Sequence, residues 1–278
     1  MRAIRGAALA LICLGSGAAA GPIGPEALAG AIAGADVAIL GEVHDHPLHH
    51  AHQAAAVAAM APKALVFEML TPEQAARATP DLRHDAGALA AALDWAGSGW
   101  PDFALYAPIF AAAPGAAVYG AAVPRDQARR AVTEGAAAVF GAGDAARFGL
   151  DQPLAEAEQA QREADQQQAH CNALPEGMLP GMVAAQRLRD AALARAVVQA
   201  MEDTGGPVAV ITGTGHARRD QGMPVPLARV MPDLRVVSIG QMEADPGADA
   251  PYDHWIVTPP HPRPDPCAAF APKPASGG

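Results

Sequence analysis

Asp36-Val37-Ala38-Ile39-Leu40-Gly41-Glu42-Val43-His44-Asp45-His46-Pro47-Leu48-His49-His50-Ala51-His52-Gln53 contains the change of hydrophobic period on which the fold turns. Residues 36–42 form a short apolar run without strict alternation, closed by a glycine and a carboxylate, which is the pattern of a strand covered on both faces. Pro47 suits the first position of a helix, where its missing N–H would be unpaired anyway. His46, His49, His50 and Gln53 then recur at i, i+3, i+4 and i+7, one stripe of a helix spanning 47–60, while His52 points away from it. Five of the chain's ten histidines fall within 44–52. Taken singly, His49 and His52 read as solvated positions near a helix start. Glu42 and His44 read otherwise, because a carboxylate at the end of an apolar strand is costly to bury without a partner.

Outward from this stretch the device repeats. Segments 64–68, 116–123, 207–213 and 235–239 also read as buried strands, with 254–257 as a sixth. Helical stretches near 72–78, 125–140, 154–170, 176–202 and 225–230 separate them. This alternation predicts an α/β fold: an open, mainly parallel sheet with helices on both faces. The crossovers 71–115 and 124–206 are too long for single helices and predict an all-α insertion subdomain beside the sheet.

In a parallel sheet the carboxyl ends share one edge, where open α/β folds bind ligands. Glu42 and His44 close the first strand and Glu68 closes the second. Arg125 follows the third, and Thr212-Gly213-Thr214-Gly215-His216 brings a histidine after the fourth. Glu42, His44, Glu68 and His216 are therefore expected to converge. Two imidazoles and two carboxylates can hold a divalent metal with an activated water, or form an acid/base network around a larger ligand. Residues 212–215 are too short for a phosphate-binding loop, and the serine of Gly97-Ser98-Gly99 lacks the spacing of a nucleophile elbow.

Composition limits the remaining classes. The 278 residues are 51% hydrophobic and 17% charged, enough for one sizeable core and against disorder. A net charge of −10, with Lys63 and Lys273 the sole lysines and no basic tract, argues against nucleic acid and anionic membrane surfaces. Residues 1–20 read as a secretory signal, with Arg2 and Arg5 first, an apolar stretch at 7–14 and Ala18-Ala19-Ala20 as cleavage site. The stretch is too short to span a bilayer. The bulky Ile12 disfavours lipid anchoring at Cys13, and no other segment approaches a transmembrane run. Export would place Cys171 and Cys267 in an oxidising compartment, where they can pair and staple the Pro-rich tail, 261–278, onto the helical region; two unrelated buried thiols are the alternative.

The pattern Gly41-Glu42-x-His44-Asp45-x-Pro47-x-His49-His50-x-x-Gln53 resembles the opening motif of ChaN-type haem-binding uptake proteins, part of a wider group with the Tiki proteases and erythromycin esterases. The resemblance continues through Val66-Phe67-Glu68-Met69 and Trp95-x-x-Ser98-Gly99-Trp100-Pro101-Asp102-Phe103-x-x-Tyr106-x-Pro108-Ile109-Phe110. It resumes at Met182-Val183-x-Ala185-Gln186-x-x-Arg189-Asp190 and ends at Gly213-x-Gly215-His216-Ala217-Arg218 and Gly222-x-Pro224, within a domain bounded by 21–260. It implies an exported, periplasmic haem-binding protein in iron uptake or handling, to which dimerisation can be added. Haem iron takes His, Tyr, Met or Cys, and haem carboxylates seek Arg or His. Tyr106 and His50 are accordingly the candidate iron ligands, with Arg125, Arg218 and His216 as further haem-binding candidates. The alternative, drawn from the wider group, is a hydrolase holding Mn, Co or Zn with Glu42, His44, Glu68 and His216. The balance lies with binding rather than catalysis. The blandest reading, a scaffold whose strand ends only hold the sheet edge together, also stays open.

Overall fold

The computed structural model describes residues 20–270. The proposed signal segment with Cys13 lies outside them, apart from Ala20, as do the last residues of the tail. Seven strands form one sheet: β1 (Gly21–Pro22), β2 (Val37–Glu42), β3 (Ala64–Phe67), β4 (Ala117–Gly120), β5 (Val208–Gly213), β6 (Val236–Met242) and β7 (His254–Val257). Their order is β1-β7-β6-β2-β5-β3-β4, and every pairing is parallel. The two-residue β1 is an addition to the six strands read from the sequence.

Successive residues of β2 serve opposite cores. Val37 and Ile39 point into one, Ala38 and Leu40 into the other, as the two-residue period of a strand requires. All six residues of β2 are buried, which explains its continuous apolar pattern. The helix Pro47–Met60 starts at the proline as expected. It packs with the helix Phe103–Ala112 on one face. The helices Arg125–Glu134, Ala136–Phe140 and Leu179–Thr204 cover the other.

The two long crossovers therefore divide between the faces, each becoming part of one covering layer. The chain moves outward from β2 to β4 on one face and returns to β5 on the other. Such a reversal opens a crevice at the carboxyl ends of the strands. The helix expected over 125–140 breaks at Gly135, whose φ of 87° is outside the range of a right-handed helix. The pairing of Cys171 with Cys267 is present, with Cα atoms 5.5 Å apart, and ties the Pro-rich tail to the turn after the helix Glu156–Ala169. Among the described residues no helix is long and apolar enough to cross a membrane.

Candidate functional site

Glu42, the last residue of β2, is 2% exposed, so its charge must be met inside the protein. Three side chains surround it. The Tyr106 hydroxyl donates to Oε1 at 2.9 Å, and His44 Nδ1–H donates to the same oxygen at 2.8 Å. His50 Nδ1 stands 3.3 Å from Oε2, although neither of those two atoms has a partner of hydrogen-bonding geometry. His50 Nε2–H donates to the His44 carbonyl at 2.8 Å, which fixes the loop after β2. Burial opposes a charge on His44, but the bond to Glu42 and the charges of Glu68 and Glu42 together outweigh it and raise the imidazole pKa. Burial and the neighbouring Glu42 raise the Tyr106 phenol well above its usual range.

A second cluster lies at the ends of β3 and β5. Glu68 Oε2 accepts from the Thr212 hydroxyl and the Gly213 N–H, both at 2.7 Å. Glu68 Oε1 is 3.5 Å from His216 Nε2, and His216 Nδ1–H donates to Asp190 Oδ1 at 2.7 Å. Burial works against a charge on this imidazole, yet Glu68 and Asp190 prevail and raise its pKa to about 10. Burial raises Glu68, but His216, His44 and the Gly213 N–H together outweigh that and its carboxyl is depressed. Asp190 shifts the opposite way, because its burial exceeds the pull of His216.

Neither Asp190 nor Thr212 was assigned a role from sequence. The signal for Asp190 was available in the spacing Gln186, Arg189, Asp190, Leu193, a stripe at i, i+3, i+4 and i+7 on the helix Leu179–Thr204. Thr212 offered no comparable cue beyond its place beside Gly213.

A cleft of about 500 Å³ opens over these strand ends, lined among others by Glu68, Trp100, Arg125, Gln186, Arg189 and His216. Its volume falls within the range of small-molecule sites. Neither Arg125 nor Arg189 is among the arginines that pair with carboxylates in the described residues. Arg218 is differently placed. It holds Asp220 at 2.8 Å and borders a separate cleft of about 430 Å³ with Asp165 and His170.

Of the residues singled out from sequence, the structure brings Glu68, Arg125 and His216 to one cleft and sets Glu42 and His44 beside it. Tyr106 and His50 are 0% and 1% exposed, packed edge to face behind Glu42, so neither presents an atom to the cleft. His49 is buried rather than solvated. Its Nδ1 accepts from the Val43 N–H and its Nε2–H donates to Thr258, both at 2.9 Å. Burial and the adjacent His46 hold its pKa down to about 3. His46 Nε2–H donates to the Pro259 carbonyl, and Arg263 binds Asp45 and Glu243, so this side of the loop anchors the tail.

The four-residue divalent-metal shell does not fit. Among the described residues no three His, Cys, Asp or Glu side chains are grouped to hold a metal ion. The physical reason is the split into two clusters, in which inward-facing oxygens and nitrogens already bind one another. The donor set suits a planar anionic ligand better: an indole and two guanidiniums that form no ion pair among the described residues, with a partly exposed imidazole, His44, beside the cleft.

The profile of a family described as haem-binding uptake, Tiki superfamily, ChaN matches residues 28–227. ChaN of Campylobacter jejuni, solved with cofacial haem, superposes with a TM-score of 0.60 at 18% identity, covering 83% of this chain and 91% of that one. The type III effector HopBA1 is also similar, with a TM-score of 0.48 at 15% identity, covering 86% of this chain and 96% of the other. No curated protein matches the sequence.

Proposed function

The chain belongs to the ChaN haem-binding uptake family of the Tiki superfamily, and from that premise we propose that it binds haem or a related iron porphyrin in the cleft over β3 and β5. The observation that carries this reading is the cleft's charge. In a chain of net charge −10, Arg125 and Arg189 line one hollow and, among the described residues, neither forms an ion pair, while Glu68 in the same lining is engaged by Thr212, Gly213 and His216. Propionates supply that partner, and guanidinium–carboxylate bonding is strong and directional. Trp100, partly buried in the same wall, offers an apolar flank for a macrocycle.

Haem, when bound, supplies the iron centre; the residues of the chain hold and orient it. Arg125 and Arg189 bind its carboxylates. His216, with its nitrogens turned to Asp190 and Glu68, pins one wall in place. Arg218, occupied by Asp220, is not part of the proposed set.

The wider role is uptake or handling of iron porphyrin outside the cytoplasm, in the periplasm. The signal-like residues 1–20 and the Cys171–Cys267 bond support export. A homodimer bringing two clefts together would give two haems the cofacial arrangement seen in the Campylobacter jejuni protein. Titrating haem into the purified protein tests the core of the proposal. A saturable Soret band at stoichiometric haem is expected, and a spectrum indistinguishable from haem in buffer would refute it.

A further inference from the structure

We propose that the helix Glu156–Ala169 is a hinged lid, leashed at one end by the Cys171–Cys267 bond, and that its opening joins the cleft of about 430 Å³ to the haem cleft and sets how fast haem enters and leaves. This rests on the haem reading above. The helix is polar all round. Its apolar residues are all alanine, Arg162 is its one buried residue, and none of its residues joins either apolar core. A helix of that kind draws little from tertiary packing and is supported by its own side chains. Gln159 bonds Glu163, Gln161 bonds Asp165 and Arg162 bonds Glu158, each pair four residues apart at 2.6–2.9 Å, so the helix can move as one piece.

The helix is seated over space. The cleft of about 430 Å³ and a smaller hollow of about 220 Å³ both have Arg162, Asp190 and Gln221 in their walls. Few bonds close the gap. Arg162 Nη1 donates to the Gln221 carbonyl at 3.1 Å, Gln221 Nε2 donates to Asp165 at 2.7 Å, and Arg218 stands 3.6 Å from the same carboxylate. An element held by a few polar contacts and no apolar core lies at the low-stability end of a fold. Arg187 fixes the Gly149 and Gln152 carbonyls at 2.8 and 2.9 Å, which leaves residues 153–155, without regular structure, as the hinge. The other end is tied. Arg263 of the tail is fixed on Asp45 and Glu243, and the four residues from there to Cys267 reach at most about 14 Å. Pro264 and Pro266 keep Arg263 and Asp265 extended, so the leash is stiff. One side chain divides the two clefts. Gln186 lines both, its amide nitrogen 3.2 Å from His216 Nδ1. With the helix swung away, Gln186 has room to leave that position, and the merged opening approaches the upper end of small-molecule sites, about 1,000 Å³.

Two measurements on the oxidised protein test this. Hydrogen exchange followed by mass spectrometry should find the amides of 156–169 exchanging at least about a hundredfold faster than those of 190–200 in the helix Leu179–Thr204. Stopped-flow mixing with haem, read at the Soret band, compares the wild type with Asp165→Ala, which releases Gln221 and Arg218 from the helix, and with the joint Cys171→Ala and Cys267→Ala variant, each checked for its fold by circular dichroism. Association and dissociation should both quicken, about two- to tenfold for Asp165→Ala and more for the cysteine variant, while Kd stays within about twofold. Protection of 156–169 equal to that of 190–200 overturns the lid. A wild type that binds, with both variants at wild-type rates or with Kd alone altered, overturns it as well and leaves the haem reading standing. A wild type without a Soret band removes the haem reading, and with it the passage of haem beneath the helix.

Discussion

Replacing both Cys171 and Cys267 by alanine removes a cross-link that closes a span of 96 residues. In the chain-entropy description, a loop of that length lowers the entropy of the unfolded chain by an amount worth about 4.7 kcal/mol at 25 °C. That figure is a ceiling, and the expected loss is about 2–4 kcal/mol. Little else can substitute. Arg263 bonds Asp45 and Glu243 at 2.6–2.8 Å, but these groups are partly exposed, and such pairs contribute about 0–1 kcal/mol each. For a domain of this size each kcal/mol moves the midpoint by roughly 2–4 °C, so the double variant should melt at least about 4 °C lower. Thermal unfolding followed by far-ultraviolet circular dichroism, with and without reductant, measures the difference. Reductant should bring the wild type down to the level of the variant and leave the variant unmoved. A variant within about 1 °C of the oxidised wild type would refute the argument that this bond closes the long loop.

Three further outcomes follow from the site. Asp190→Asn leaves a buried His216 with one carboxylate in place of two, so it should cost about 3–5 kcal/mol in a urea titration; a loss below about 1 kcal/mol would show that the pair is not buried as described. Stability should peak near pH 6.5 and fall on either side. His216, raised to about 10, contributes fully below 6.5 and loses that contribution as pH rises through 10, whereas Glu68, depressed from 4.5, contributes above that value and loses it in acid. His49, lowered to about 3, adds to the acid limb, because its neutral folded form is disfavoured as pH falls below 6.5; a urea midpoint that rises from pH 6.5 to 8.5 would contradict the His216 sign, and one that rises as pH falls from 6.5 to 4 would contradict the other two. Arg125→Ala and Arg189→Ala should each weaken haem about ten- to hundredfold in fluorescence-quenching titrations while Arg218→Ala changes it little, and the reverse ranking would move the ligand to the other cleft.

The edge of the sheet was legible because it rests on local signals. Continuous apolar runs ending in Glu42 and Glu68 fixed two strand ends, and Pro47 fixed a helix start. A parallel sheet then brings those ends together whatever their separation in sequence. Pattern could not reveal which polar groups are spent on one another. Tyr106 and His50 have the right chemistry to meet iron, but their burial behind Glu42 depends on how the helices Pro47–Met60 and Phe103–Ala112 pack, a tertiary fact. The four-residue metal shell failed for the same reason: convergence was foreseen, mutual saturation was not. Asp190 escaped because an acid in an alanine-rich helix that also carries Glu202 and Asp203 looks solvated until its neighbour across the sheet edge is known. The insertions went to opposite faces because each crossover must cover the side on which it leaves the sheet, a constraint that composition does not express.

Trp100 comes from the layer over one side of the sheet, and Arg189 from the layer over the other. Anything gripped by both acts as a rivet through two plates, so occupancy would be felt as rigidity well away from the point of contact. The same construction lets each plate change its sequence independently, provided the rivet holes stay aligned.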